Sequence, residues 1–364
     1  MTTGDLLYSD TEEALRDGVR QLFADRCPPE QIVHAYDAEP PDFSAVWRTL
    51  ATELGVAGLL VPEELGGAGA GAREAAVVME EIGRAVAPVP FLSSAVLATV
   101  ALLRAGETEV VSALAGGELT AALVLPLSTA PGDRVAGVSH GADGLSGSVT
   151  SVAGVAEADI LVVPVAAQDG LELHTVPRTA AGVEVSAPAA LDMTRPLANV
   201  RFSGAASSPV GPAEGPIAEA LDTGAALLAS EQLGVARWCF DTTLEYAKQR
   251  RQFGRLIGSY QAIKHRLADL WFEVGAATAA ARYAADACAR GEDAGVAAAT
   301  AQAYCSGIAV HVAEECVQLH GGIGMTWEYP AHLYLKRAKS DQLALGTAYR
   351  HRARLAGLVN LPPE

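Results

Sequence analysis

The residues best suited to chemistry in this sequence are two arginines beside a phenylalanine, and two glycines behind a histidine. The first set is Arg250, Arg251 and Phe253, in the stretch RRQFG. A guanidinium presents a planar fork of donors that matches a phosphate, and a phenylalanine beside it adds a flat apolar surface. Arginines at the C-terminal end of a long helix are also favoured by the helix dipole, so the residue types alone leave both uses open. The second set is HGGIG, His320–Gly324. It follows a helical run rather than a strand, so it is not a dinucleotide fingerprint. Gly321 can cap a helix with left-handed backbone angles, and Gly321 with Gly322 lets a ligand come close to the backbone. A third run, GGAGAG at residues 66–71, lacks the strand and the Lys-Ser/Thr pair of a phosphate loop and reads as a connection between helices.

Other chemistries have no starting point. There is no nucleophile elbow, no HExxH and no His/Cys spacing suited to a metal, so no metal site is expected. The eight histidines are scattered, and His265 or His311 alone on a helix is ordinarily solvated or satisfied. Cys27, Cys239, Cys288, Cys305 and Cys316 are odd in number and read as reduced thiols buried in helices of a cytoplasmic protein. Forty-three acidic residues against 26 Lys and Arg give a net charge of -17, which disfavours nucleic acid and an anionic membrane surface. The N-terminus has neither a basic nor an apolar leader segment, and no stretch reads as apolar enough for long enough to span a bilayer.

The elements that must position these residues fall into three blocks. Residues 1–117 read as helices separated by Gly/Pro loops. In DTEEALRDGVRQLFADRC, the residues Leu15, Val19, Leu22 and Phe23 share a face, and Asp10, Glu12 and Glu13 suit the helix start. Residues 118–211 change to short Val/Leu/Thr runs between turn signals, which predicts a small antiparallel β domain. No helix-length pattern alternates with them, so a doubly wound parallel sheet is not expected. Residues 212–364 return to the helical period in three long runs rich in Ala, which allows close helix approach in a four-helix bundle.

In this order the segments resemble the acyl-CoA dehydrogenase family, over nearly the whole chain. ELGVAGLLVPEELGGAGAG with VMEEIGRAVAPVPF is similar to the family's N-terminal helical domain. YAKQRRQFGRLIGSYQAIKHRLADL is similar to its long C-terminal helix and turn, and CVQLHGGIGMTWEYPAHLYLKRA to the helix and loop that follow. The resemblance implies an α+β, mainly α fold: N-terminal helices, a central β domain and a C-terminal four-helix bundle. It implies FAD, an acyl-CoA thioester, a dimer of dimers and an electron-transfer acceptor for the reduced flavin. In the family a carboxylate takes the α-proton, the β-hydride goes to the flavin, and hydrogen bonds to the thioester carbonyl stabilise the enolate.

Carried over by position, Arg250, Phe253, Gln261, Gln318, Gly321 and Gly322 match residues that touch the adenine-side phosphates or ribose of an FAD held mainly by the neighbouring subunit. Thr347 matches a threonine near the flavin in a Glu-Gly-Thr motif. The departures concern the base. Leu345 stands at that motif's Glu, and the alternative base position, on the helix that opens the C-terminal domain, falls on Gly224. The Thr-Glu-Pro loop maps to LSTAPGD, residues 127–133, without its Glu. The Trp-Ile-Thr strand maps to Ser151, Val152 and Ala153, and Lys336-Arg337 replaces a common Arg-Asp pair.

Groups that reach a neighbour's cofactor are thus mostly kept, and groups that serve the chain's own flavin are mostly lost. The expectation is the actinobacterial type of acyl-CoA dehydrogenase built from two different chains, a type that acts on bulky acyl-CoAs such as steroid side chains, with the base on the partner. Substitutes for the base are Glu231, two turns and ~10 Å along the helix from Gly224, then Glu328 and Asp341; each is read first as structural or solvated. A self-sufficient homo-oligomer with an atypical base, and a non-enzymatic acyl-CoA-binding relative, are the competing readings.

Overall fold

The first helix shows how local signals set the structure. Helix α1 (Asp10–Arg26) begins at Ser9, whose hydroxyl accepts the backbone N–H of Glu12 at 3.2 Å, while the Glu12 carboxylate accepts the Ser9 N–H at 2.6 Å. This reciprocal cap satisfies two donors that the first turn leaves open. Val19 and Phe23 are buried, with Leu15 and Leu22 packed beside them, which is the face the apolar period predicts. Glu12 is itself buried and pairs with Arg73 at 2.8 Å, so it also ties α1 to a later helix.

The computed structural model describes residues 6–37, 41–168 and 170–362; the first five residues of the stretch read as leaderless lie outside them. Helices α2 (Pro29–Ile32), α3 (Ser44–Arg48), α4 (Ala72–Ala85), α5 (Thr99–Arg104) and α6 (Glu109–Ala115) complete the first block. The glycine run at 66–71 is the connection expected of it. Gly66 holds a φ of +81°, and Gly71 caps α4, its N–H donating to Glu74 at 2.9 Å.

Eight strands follow: β1 (Ala121–Leu123), β2 (Ser139–Gly141), β3 (Gly144–Ala153), β4 (Ile160–Ala167), β5 (Gly170–Pro177), β6 (Val183–Ser186), β7 (Leu197–Ala205) and β8 (Ser208–Pro212). They form two four-stranded sheets, ordered β1-β4-β5-β8 and β2-β3-β7-β6. Every pair in them is antiparallel except β1 with β4, which run parallel from Ala121 opposite Ile160 to Leu123 opposite Val162. The chain leaves β1, builds β2 and β3 in the other sheet and then returns as β4; such a crossover restores the original direction. Leu161, Val163 and Val165 of β4 face the core between the sheets, while Val162 joins the core shared with the helices. A strand buried on both faces carries a continuous apolar run.

The third block is α7 (Glu214–Gln249), a hairpin of β9 (Arg251–Gln252) and β10 (Arg255–Leu256), α8 (Gln261–Arg290), α9 (Ala294–His320), α10 (Ala331–Leu343) and α11 (Ala348–Leu358). Short links make α7, α8 and α9 successively antiparallel. Helix α4 packs on α7 through glycine. A methyl added at Gly83 would enter the carbonyl of Glu231, and one added at Gly234 would enter that of Glu80.

One expectation is corrected here. Residues 294–325 are long and apolar enough, by length and composition, to cross a membrane. Most of that segment is buried, however, and α9 packs against α7, α8, α10 and α11; its apolar side chains build the bundle core. The bundle expected of the third block is present: α7, α8 and α9 are its long helices, and the shorter α10 and α11 pack against α9.

Candidate functional site

The antiparallel run of α7, α8 and α9 brings one end of each helix together. Helix α7 ends at Arg250, which leaves the helix in an extended conformation. The hairpin then turns on Phe253 (φ +53°) and Gly254 (φ +78°), two left-handed residues that match the twist of a two-residue hairpin. Phe253 is 93% exposed at its tip. Gln261 opens α8, and Tyr260 before it gives that helix no side-chain cap. Gln318 lies in the last turn of α9, and Gly321 (φ +65°) ends it.

Arg250, Phe253, Gln261, Gln318, Gly321 and Gly322 are thus all exposed at one end of the bundle. The side chains of Arg250, Gln261 and Gln318 make no hydrogen bond to a described residue. A methyl added at Gly321 or Gly322 would meet nothing within 4 Å. An arginine, two amides, an aromatic ring and bare glycine backbone suit the phosphates and ribose of a nucleotide approaching from outside.

The interior contrasts with this edge. Leu345 sits at φ +52°, with its N–H donated to the carbonyl of Leu127 at 2.7 Å. Leu127 in turn donates its own N–H to the carbonyl of Ser151 at 2.9 Å. The loop and strand that match the family's flavin-facing segments are therefore sealed to the segment bearing Leu345. Gly224 on α7 faces the same space: a methyl there would lie 3.1 Å from Leu345 Cδ1 and 2.6 Å from Leu97 Cδ2. The two base positions converge, and leucines fill the room between them.

Two small voids of about 20 Å³ each lie here, each with room for a single water, and the one at Glu157 shares Pro88, Pro90, Glu157 and Pro196 with a cleft of about 620 Å³. The one touching Leu345 is lined by Ser93, Leu97, Leu123, Leu125, Pro126, Leu127, Ala153 and Leu221, with no carboxylate. His351 backs the wall, its Nε2–H donating to the Leu345 carbonyl at 2.8 Å, and burial holds its pKa below the usual histidine value. Thr347 immediately precedes α11, two residues after Leu345.

Glu231 and Asp341 are engaged elsewhere. Arg195, in the loop before β7, donates to both Glu231 oxygens at 2.5 Å and to Asp341 at 2.5 Å. Arg337 of α10, only 1% exposed, donates to Glu231 and Asp192 at 2.6 Å each, and to Thr194. Two guanidinium groups thus serve three fully buried carboxylates. The surplus negative charge falls on Asp341: burial and the Glu231 charge raise its pKa to about 8. Both carboxylates are structural, holding the β domain to α7 and α10. Glu328 is exposed, as expected. Lys336 lies over the rings of Tyr36 and Trp327, at 3.9 and 4.3 Å from their centroids.

Sequence reasoning did not find Asp192 and Arg195, which sit in a loop without period. It also did not find Glu157, in the turn between β3 and β4. Glu157 borders the second void from an exposed position at the mouth of the adjoining cleft. No group of three or more His, Cys, Asp or Glu among the described residues could hold a metal ion.

Comparison with known proteins places the two helical blocks in one family. Residues 9–114 match the family model "Acyl-CoA dehydrogenase, N-terminal domain" and residues 216–358 match "Acyl-CoA dehydrogenase, C-terminal domain". The chain is 36% identical over 352 residues to acyl-CoA dehydrogenase IpdE2 of Mycolicibacterium smegmatis, covering 96% of this chain and 99% of that one. It is 38% identical over 331 residues to IpdE2 of Mycobacterium tuberculosis, covering 90% and 91%. Among solved structures, the ChsE4-ChsE5 complex from Mycobacterium tuberculosis superposes with a TM-score of 0.87 at 28% identity, over 99% of this chain and 100% of that one. A variant of the Tcur3481-Tcur3483 steroid ACAD gives 0.85 at 29%, over 96% and 98%.

Proposed function

The chain belongs to the acyl-CoA dehydrogenase family, and from that premise we propose that it is the chain of a two-chain enzyme that grips the cofactor but carries no base. The family desaturates acyl-CoA thioesters between Cα and Cβ, and FAD, when bound, takes the β-hydride. The α-proton must go to a carboxylate within hydrogen-bond reach. The filling of the space between Gly224 and Leu345 by leucine carries the proposal. Both positions for the base are apolar, and the void that touches Leu345 has no acid in its wall.

The base then resides on a second acyl-CoA dehydrogenase-type chain, whose FAD and substrate sit in that chain's own interior. This chain completes the site from outside. Arg250 would meet a phosphate, Gln261 and Gln318 the ribose or phosphate oxygens, and Phe253 an apolar surface, with Gly321 and Gly322 allowing close backbone approach. Thr347, two residues after Leu345, takes no part in that grip. A relative named as the ChsE4-ChsE5 complex is a precedent for two chains assembling. The Tcur3481-Tcur3483 enzyme, named a steroid ACAD, puts polycyclic acyl groups first among thioesters to assay. Reoxidation of the flavin falls to an external electron-transfer acceptor, in the cytoplasm.

Co-expression tests this reading. Purified alone, the chain is colourless; purified with a dehydrogenase-type partner, it is yellow. Arg250→Ala weakens flavin retention in the complex, since it removes a charged donor to phosphate; unchanged flavin content refutes the assignment. One observation favours the self-sufficient alternative enough to test it. Glu157 borders both a void and the cleft beside it. If the chain alone desaturates acyl-CoA and Glu157→Gln abolishes that activity, the base is its own.

A further inference from the structure

We propose that His320, clasped between Tyr246 and Tyr329, is a positioning residue that sets the two halves of the nucleotide grip at a fixed distance from each other; this rests on the assignment of Arg250, Phe253, Gly321 and Gly322 to a partner's FAD. The grip has two parts. Arg250 and Phe253 follow the end of α7, and Gly321 and Gly322 follow the end of α9. Among the described residues, no side-chain hydrogen bond or ion pair joins one exposed part to the other.

The connection lies beneath them. Tyr246 is one turn before Arg250, whose N–H closes on the Tyr246 carbonyl at 2.9 Å. The Tyr246 ring lies against the His320 ring at 4.3 Å, and its hydroxyl donates to the His320 carbonyl at 3.4 Å. His320 is the last residue of α9, immediately before Gly321, and is buried. The Tyr329 ring lies at 4.5 Å from the His320 ring. Tyr329 follows the 321–325 turn, so its contact with His320 closes that turn into a loop.

The hydrogen bonds fix the imidazole. His320 Nδ1 is 2.7 Å from the carbonyl of Cys316, an acceptor, so Nδ1 carries the proton. Nε2 is 2.7 Å from the Tyr329 hydroxyl. His320 thus uses both nitrogens, one on α9 and one on the far end of the glycine loop, with tyrosine rings from α7 and from that loop packed against it. Phenylalanine would fill the same slot but would make neither bond. A residue needed only for packing would not require this polarity.

The test uses the complex with the flavin-bearing partner, stripped of flavin and titrated with FAD and separately with ADP. Tyr329→Phe keeps the ring and removes one hydrogen bond, so FAD and ADP affinity should both fall by about fivefold. His320→Phe removes both bonds and should lower them by roughly tenfold or more. The reduction potential of flavin reloaded into either variant should stay as in the parent, because the grip is on the adenine side. A purely structural role would lower the thermal midpoint and leave both affinities of the folded complex unchanged, and that result overturns the inference. So does a shifted potential, which would mean the whole site is distorted. If Arg250→Ala releases FAD while both His320→Phe and Tyr329→Phe retain it, the grip stands and the clasp falls. If Arg250→Ala also retains FAD, the underlying assignment fails and this inference fails with it.

Discussion

Asp341→Asn should make the chain more stable at neutral pH. The network around it holds Arg195 and Arg337 against Asp192, Glu231 and Asp341, all fully buried or nearly so. With three carboxylates on two guanidinium groups, one acid is held protonated. Asp341 is that acid, its pKa raised to about 8 by burial and by the Glu231 charge. In the unfolded chain an aspartate titrates near ~4. Between about pH 4 and 8, the folded state therefore binds more protons than the unfolded state. Stability falls as pH rises through that window, and the loss is complete above the folded pKa.

The slope approaches about 1.4 kcal/mol per pH unit, which sets a ceiling on the order of 4 kcal/mol for the loss by pH 7. Asparagine mimics the protonated acid. It keeps an oxygen for Arg195 Nη1, now at 2.5 Å from Asp341 Oδ1, and places its amide where Oδ2 has no partner. Urea unfolding of parent and variant at pH 5, 6, 7 and 8 checks this. The variant should already lead by about 1.5 kcal/mol at pH 5, roughly one unit above the unfolded aspartate pKa, and should gain further with each step upward. A variant less stable than the parent at pH 7 would show that Asp341 is ionised there and needed as a counter-charge, which would refute the reasoning.

Other outcomes follow from the same contacts. Gly234→Ala should destabilise the chain by roughly 3 kcal/mol or more, because its methyl would strike the Glu80 backbone and force α4 off α7; overpacking typically costs about 1–3 kcal/mol even where side chains can move. Denaturant midpoints measure it, and a neutral result would mean the helices part without cost. Leu345→Ala should lower stability by about 2–5 kcal/mol and enlarge the void beside Leu97, without giving the isolated chain any desaturase activity. Leu345→Glu should stay inactive too, since the new carboxylate would face leucines and a sealed flavin-side loop; activity in the isolated variant would show an intact pocket. Phe253→Asp should leave the unfolding midpoint unchanged, as the ring is 93% exposed, yet reduce flavin content in the complex; equal flavin would remove Phe253 from the grip.

Much of the architecture was legible because it is written in local period. The face of Leu15, Val19, Leu22 and Phe23 in α1 could be read directly, as could the change to strand-length runs near residue 118 and the return of long helices near 214. The parallel pairing of β1 with β4 was not legible, since it depends on which sheet receives the intervening strands. Glu12 was read for its charge near a helix start, but its partners Ser9 and Arg73 depend on capping geometry and on the packing of α1 on α4.

For the site, the substitutions Leu345 and Gly224 were visible one at a time. That they face each other across a filled space required the fold. The ion network was hidden for the same reason: Asp192 and Arg195 come from a loop, Glu231 from α7, and Arg337 and Asp341 from α10. His320 looked like a helix-terminal residue before a glycine cap. Its clasp joins tyrosines 74 residues before it and nine after it.

The central claim is that this chain completes a flavin site it does not itself own. Anaerobic mixing of acyl-CoA with the purified protein, followed at the flavin absorbance band, tests it most directly. The chain by itself should show no flavin band and no bleaching, while the complex with its partner should bleach in a single turnover that a Glu→Gln change at the partner's base abolishes. Flavin bound to the isolated chain and bleached by acyl-CoA would contradict the account.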